Sequence, residues 1–446
     1  MNNIEMSLDR AFISKLEKKY LKLDNHSVLE NSISNNDITE LFQNRATMQN
    51  YDFVFSKKIR TKTKPANQEY SGRCWLFSFT NILRIRLIRK YKLNPEFYLS
   101  NTFLYFYDKL EKSYLFLKNM VKLKRKKLTT RLLSHLLKDP VSDGGFWNMA
   151  VNLIEKYGII PNDTMRESYH SRDSSQFNNI LRQNLMAFAK DIRTNKKTNI
   201  EAMMSHIYNI LCFFLGKPVE TFTWKYYNAK DKAFEHKNLT PLLFYKKFVD
   251  FKPNEYACLI HYPLTKYPFY KMYSLNYCNN MFKGNTTTFM NVPIELLRKY
   301  CIDSLNDEEP IWFGCDVDKY MDKERGILDI KNYNFEALHP NSSALSKQDR
   351  ILYGTSAPTH AMIFIGYDGL DKQTHTVSKW LVENSWGDKS GNEGYLKMDR
   401  GWFDAYVFVI VIKKKYLSAR LKKILTTDPK RIDPWDSLSC EALMLK

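Results

Sequence analysis

A helix that is apolar on nearly every side can exist only inside a protein, and this chain writes one from Cys74 onward. The stretch Gln68-Glu69-Tyr70-Ser71-Gly72-Arg73-Cys74-Trp75 runs directly into Leu76-Phe77-Ser78-Phe79-Thr80-Asn81-Ile82-Leu83. Apolar side chains cover almost the whole circumference of these first turns, so the Cys74–Tyr91 helix must be enclosed by the rest of the fold. Gly72 turns the chain just upstream, and Cys74 opens the helix. A thiol there lies at the positive end of the macrodipole, which favours thiolate, the nucleophilic form. Gln68 can swing its amide beside the sulfur and, with the Cys74 N–H, donate to an oxyanion. A lone cysteine is as a rule a small buried hydrophobe. That reading leaves Gln68, Gly72 and Trp75 unexplained, and Cys74 reads as a nucleophile.

With 446 residues the chain has room for two or three domain-sized units, or one large enzyme with insertions. Hydrophobic residues at 44% and aromatics at 14% supply a sizeable core, and 15 Gly and 15 Pro are too few for a fibrous or disordered chain. The seven cysteines (74, 212, 258, 278, 301, 315 and 440) are scattered with no C-x-x-C, which speaks against a disulfide framework and a thiolate zinc site. No metal or cofactor is called for. The N-terminus MNNIEMSLDRAFISKLEKKYL is amphipathic and carries no apolar signal core. No window approaches the roughly 18 apolar residues of a membrane span. A cytoplasmic, reducing setting is the expectation.

Lys and Arg number 68 against 48 Asp and Glu, a formal charge of +20. The densest run is Lys118–Arg131; Arg84, Arg86, Arg89 and Lys90 follow Cys74, and Lys413–Lys415 and Arg420–Lys423 lie near the end. Each run taken alone reads as a solvated face. The excess over the whole chain implies attraction to polyanions, so sequence-indifferent DNA or RNA binding is expected, on Lys118–Arg131 and the Arg84–Lys90 helix. No nucleic-acid motif accompanies the charge.

Residues 7–23 read as an amphipathic helix with Leu8, Phe12, Leu16 and Tyr20 on one face. Helical patterns continue through 100–118, through 147–157 with Gly158 as terminator, and through 175–215. Residues 218–340 alternate short strands and helices. Strands dominate from Thr359: Ala361–Ile365, Lys379–Glu383, Gly394–Met398 and Val407–Ile412. Helices first and a sheet last make an α+β architecture with the site between them. The expected organisation is an arm at 1–66, a helical part at 67–215, an insertion and mixed region at 216–358, a β-rich part at 359–426 and a tail at 427–446.

A thiolate nucleophile needs an imidazole to hold the ion pair and protonate the leaving amine. Of nine histidines, His360 opens the strand AMIFI, and the next strand, KWLVE, leads into Asn384-Ser385-Trp386-Gly387. Opposed residues of an antiparallel pair keep a constant index sum. A loop centred on residue 372 therefore sets His360 against Asn384, barring a bulge. The Asn amide can accept the imidazole N–H and fix its tautomer, with Trp386 shielding that bond.

The set Gln68, Cys74, His360 and Asn384 resembles the papain-like cysteine peptidases. NQEYSGRCWLF, DGGFWNMAVNLIEKYGIIP, EPIWFGCDVDKYM, THAMIFIGY and WLVENSWGDKSGNEGYLKMDRGWFDAYVF narrow the resemblance to the bleomycin hydrolase/aminopeptidase C branch, along nearly the whole chain. The resemblance implies a papain-like fold with a helical and a β-rich subdomain plus helical insertions, aminopeptidase action on peptides, and a homohexamer with sites facing an internal channel. It gives Gln68 to the oxyanion hole, Cys74 as nucleophile, His360 as general acid/base, and Asn384 as its orienter. Gly144 and Gly145 resemble the pair whose backbone holds bound peptide. Some members bind nucleic acid through a basic channel.

Asn148 departs from the branch, standing where D-G-G-x-W-D ends in Asp, and is expected to alter charge at the cleft wall. The tail departs as well. Laid over the branch's W-D-P-M-G-A-L-A, Trp435–Ala442 ends at Ala442, and Leu443–Lys446 would run on into the cleft. Either Cys74 trims that extension, leaving a carboxylate that receives the substrate's α-amine, or the tail stays whole with Lys446 at its end. Two rivals remain at this point: a silent polyanion-binding scaffold on the same fold, and a transferase or ligase resolving the same thioester with an amine.

Overall fold

The computed structural model describes residues 8–49, 51–194, 198–338 and 345–436. Contacts divide the chain into two compact units, one of residues up to Asp52 together with the segment from Lys331, the other of Phe53–Ile330 and the chain from Leu345 onward.

The smaller unit is helical, with Arg10–Tyr20, His26–Asn35, Ile38–Leu41 and Arg45–Gln49. Asp9 caps the first helix by accepting from the Phe12 N–H. The amphipathic pattern is real, yet none of these four helices has a buried residue, and Leu8, Leu16, Leu21, Val28 and Leu29 are exposed.

In the larger unit the Cys74–Tyr91 helix buries fourteen consecutive or near-consecutive side chains, from Cys74 to Ile88. No Gly or Pro interrupts it, and it stops where Lys92 turns left-handed at φ 53°. The Asn101–Lys122 helix lies against it, started by Ser100, whose hydroxyl accepts from the Phe103 N–H at 3.1 Å. The Trp147–Tyr157 helix ends at Gly158, with φ 75°. A Cβ there would lie 2.2 Å from the Pro241 backbone, so glycine is required twice over. Ser175–Thr194 offers Phe177, Leu181, Leu185, Ala189 and Ile192 as one buried stripe, and packs with Ile200–Leu215.

A twelve-stranded sheet faces these helices, and the Cys74 helix packs on the His360 strand. In its middle, Tyr256–Ile260, Val407–Lys413, Ile311–Cys315, His360–Asp368, Lys379–Glu383 and Tyr395–Asp399 are neighbours in that order. The region expected as an insertion thus feeds one strand, Ile311–Cys315, between those of the β-rich part and sets another, Tyr256–Ile260, beside them. The 1–66 arm also divides, because Lys57 and Lys58 pair with Tyr367 and Gly366, and Phe55 and Ile59 are buried in the larger core.

Two expectations about charge and sulfur change here. Arg84 is 1% exposed and ion-pairs with the buried Glu383 at 2.6 Å, so it cannot face a polyanion. Arg86 is half-buried against Tyr256 and Phe251, whereas Lys122, Arg125, Lys126 and Lys127 of the other run are exposed. Cys74, Cys212, Cys258, Cys301 and Cys315 are free, but Cys278 is disulfide-bonded, so the scatter of the cysteines did not exclude a bridge.

Candidate active site

Gln68 reaches the site because its loop runs beside the segment after Asn384. The Gln68 N–H donates to the Ser385 carbonyl at 2.8 Å, the Gly387 N–H to the Ala66 carbonyl at 2.9 Å, and Asn67 bridges Trp386. The Gln68 side chain, 5% exposed, donates from Nε2 to the Ser71 carbonyl at 2.7 Å. That bond uses one amide hydrogen and leaves the second to point elsewhere.

Cys74 is the first residue of its helix and is 4% exposed. Burial pushes its thiol up to about 11, while the backbone N–H groups of Ala361, Trp75 and Cys74 itself pull it down and the Asp143 carboxylate adds to the rise. Burial therefore outweighs the helix terminus, contrary to the simple dipole argument. The N–H of Ala361 belongs to the residue after His360, so the sulfur lies against the start of that strand. The Ser78 hydroxyl fixes the same contact by donating to the Ala361 carbonyl at 2.8 Å.

His360 Nε2 lies 2.9 Å from Asn384 Oδ1. The same oxygen accepts from the Ser385 N–H at 2.8 Å, which decides the orientation of the amide and makes Nε2 the protonated ring nitrogen. Nδ1 is then the nitrogen that can exchange a proton with the sulfur. The Trp386 ring sits 5.0 Å from the imidazole, centre to centre, inclined by 38°.

The pairing is real, but its arithmetic was not. Ile363 opposes Glu383 and Phe364 opposes Val382, whereas Gly366 opposes Leu381, with a bulge between. Extended back to residue 360, this register sets His360 against Trp386 rather than Asn384. The side chains meet because Asn384 reaches back from the strand end. In the register on the other side His360 faces Cys315, a fully buried thiol.

Gln68, Cys74, Gly144, His360 and Trp386 line one cleft of about 550 Å³. Asn384, 1% exposed, stands behind the imidazole. Gly145 does not line that cleft but packs on Trp75, where a Cβ would fall 2.6 Å from the ring. Asn148 is away from the cleft wall, in a second cavity of about 430 Å³ with Cys258, and donates to the Thr286 carbonyl at 3.1 Å. Lys446 and the proposed overhang lie outside the described residues; the last described part of the tail sets Trp435 under the Arg131 guanidinium at 4.7 Å and Asp436 on Lys266 at 2.8 Å. No cluster of three or more His, Cys, Asp or Glu suited to a metal occurs among the described residues.

One cleft residue escaped the sequence argument. Asp143 stood only at the head of DGGFWNMAVNLIEKYGIIP, yet its carboxylate lies mostly buried at the cleft and accepts from five donors. The signal that could have found it is the charge at Asp108, Lys109, Glu111 and Lys112 inside an otherwise apolar helical pattern, since buried charges need partners.

The family model for the peptidase C1-like family matches residues 7–439. Bleomycin hydrolase of Mus musculus is 35% identical over 460 aligned residues, covering 99% of this chain and all of the relative. Aminopeptidase C of Listeria innocua is 33% identical, covering 98% and 99%. The solved structure of PepW from Lactobacillus rhamnosus superimposes with a TM-score of 0.92 at 32% identity, covering 97% of this chain and 98% of that one. The chain belongs to the peptidase C1-like family. Its fold is accordingly papain-like, and within the family it is a cysteine aminopeptidase. No helix among the described residues is long and apolar enough to cross a membrane.

Proposed function

We propose that this peptidase removes N-terminal residues from peptides through a Cys74 acyl-enzyme. The observation that carries the reading is the His360–Asn384 bond of 2.9 Å beside a sulfur that touches the Ala361 N–H. With its thiol raised by burial, Cys74 forms little free thiolate at neutral pH; the nucleophile arises when His360 Nδ1 takes the proton, and the charges stay as a pair. The thiolate attacks the carbonyl carbon, and the Cys74 N–H with the uncommitted Gln68 amide hydrogen receives the oxyanion. His360 then protonates the leaving amine, and water, activated by the same imidazole, releases the acid and restores the thiol. Asn384 holds the ring throughout, and the Gly144 backbone supports bound peptide.

Turnover of fluorogenic aminoacyl amides, compared with their N-acetylated counterparts, tests activity and exopeptidase preference together. Free-amine substrates should be strongly preferred; equal rates would make the enzyme an endopeptidase.

Two further readings rest on particular surfaces. The exposed apolar faces of the N-terminal helices support self-association, in the branch as a homohexamer, which light scattering on the purified protein would measure. The exposed Lys122, Arg125, Lys126 and Lys127 support weak, salt-sensitive nucleic-acid binding, now without Arg84. A cytoplasmic location suits a thiol enzyme and is proposed on that ground.

A further inference from the structure

Asp143 stands between the loop that carries the nucleophile and the wall that faces the peptide. Its Oδ2 accepts from the Gly72 N–H at 3.1 Å, two residues before Cys74, and from the Ser174 hydroxyl. Its Oδ1 accepts from the Tyr105 hydroxyl at 2.7 Å and the Asn178 amide at 2.8 Å, and pairs with the fully buried Lys109 at 2.7 Å. Its own carbonyl accepts from the Trp75 ring N–H at 2.7 Å, one residue after the nucleophile. Asp143 thus grips the cysteine segment on both sides.

The rest of the segment is gripped too. Lys112, buried and paired with Asp108 at 2.7 Å, donates to the carbonyls of Ser142 and Gly144, both at 2.8 Å, and lies 5.5 Å from the Trp75 ring centre. The approach is so close that a Cβ on Gly72 would fall 2.7 Å from the Asp143 Cβ. Burial works against the Asp143 charge, and Lys109, Ser174 and Tyr105 overcome it, holding the carboxyl well below the usual carboxylate range. The carboxylate therefore stays ionised and keeps all five donors at any working pH.

We propose that Asp143 is a positioning residue for the reaction, fixing the distance between the Cys74 loop and the Gly144 wall so that thiol and bound carbonyl meet in register. The proposal rests on the reading of Cys74 as nucleophile. Five donors converge on two oxygens, whereas an asparagine offers one acceptor oxygen and turns an N–H₂ toward donors, so Asp143→Asn must release part of the grip. Misplacement of reacting groups by about 1 Å costs on the order of 10²-fold in rate.

The test measures kcat and KM per titrated thiol for Asp143→Asn and for Gly72→Ala, which wedges the same contact while leaving the carboxylate in place. Leu211→Ala, a buried leucine on the Ile200–Leu215 helix, supplies a destabilised control. Both contact variants should lose about 10- to 100-fold in kcat per titrated thiol, and Leu211→Ala should hold kcat per titrated thiol while its Tm falls. If either contact variant keeps kcat within threefold, or if Leu211→Ala loses as much, the positioning role is overturned and Asp143 only stabilises the fold. Failure of the underlying reading is distinct: the wild-type enzyme would then show no thiol-dependent turnover at all.

Discussion

The helix wall of the cleft, from Gln68 to Cys74 with Ser142–Gly144, is fastened by side-chain charge; the sheet wall, from His360 to Trp386, is fastened by backbone ladders. On the helix wall, Asp143, Lys109 and Lys112 hold the loops from positions distant in sequence. On the sheet wall, the His360 strand has an antiparallel neighbour on either side, and the side-chain bonds added at the site, His360 to Asn384, the Ser385 N–H to Asn384 and the Ser78 hydroxyl to the Ala361 carbonyl, are uncharged. A ladder spreads its load over many bonds, whereas a charged clamp fails when one group is removed. The helix wall should therefore be the more fragile to single substitutions that spare the reacting atoms. A buried ion pair, Arg84 to Glu383, joins the walls, with the Thr63 hydroxyl on the second carboxylate oxygen at 2.6 Å.

The largest expected effect is on the sheet wall and is chemical. His360→Ala should lower kcat/KM by about 10²–10⁴-fold with the fold intact, since it removes the general acid and base. A loss below tenfold would return the proton to some other group. Next comes the joint between the walls. Arg84→Met leaves the Glu383 charge buried without its partner, and should cost about 3–5 kcal/mol in denaturant unfolding. A cost below about 1 kcal/mol would mean that the pair is easily rearranged and the walls are not coupled through it.

Smaller effects separate oxyanion donor from orienter. Gln68→Ala should cost about 10²–10³-fold in kcat, as the loss of one oxyanion donor does. Asn384→Ala removes one hydrogen bond to the ring, on the order of 1 kcal/mol, so about tenfold is expected. If Asn384→Ala equalled His360→Ala in a folded protein, the asparagine would have a direct chemical part and the sheet wall would be as fragile as the helix wall.

The smallest effect at neutral pH concerns acid. His261, next to the Tyr256–Ile260 strand, is held down to about 3, chiefly by burial and then by Lys347, while its bond to the Val292 carbonyl works the other way. Its folded-state value lies below the unfolded value near 6.5, so the stability it gives is complete above that pH. That stability is lost as pH falls from about 6.5 toward 3, on the order of 5 kcal/mol in all. Asp143 is also depressed, but its loss begins only as pH falls through the ordinary carboxylate range near 4. Thermal melts from pH 7 to 5 should therefore flatten in His261→Gln and keep their slope in Asp143→Asn. The reverse would place the acid-sensitive group on the helix wall.

The walls also differed in how far the sequence disclosed them. The Cys74–Tyr91 and Trp147–Tyr157 helices have their read bounds, because an unbroken apolar run and a terminating glycine are local signals. Gln68, Cys74, His360 and Asn384 each carried a chemical reason at its offset, and the cleft and the bond behind it gather all four. The hairpin loop is centred between residues 373 and 374 rather than on 372, which set the register off from its start, and the bulge between Phe364 and Gly366 moves it by only one residue. Arg84 looked like surface charge since its partner, Glu383, lies 299 positions away. The Asp143 clamp drew on Gly72, Lys109, Ser174 and Asn178 for the same reason. Tertiary partners decide whether a charge is solvated or structural, and a single chain does not print them.

Hydrolysis of a free-amine aminoacyl amide by wild-type enzyme and by Cys74→Ser, each checked for native circular dichroism, addresses the central claim. The account predicts turnover by the wild type that one equivalent of iodoacetamide on Cys74 abolishes, and none above background by the folded Cys74→Ser variant. Turnover by Cys74→Ser near the wild-type rate would contradict it and move the nucleophile elsewhere in the chain.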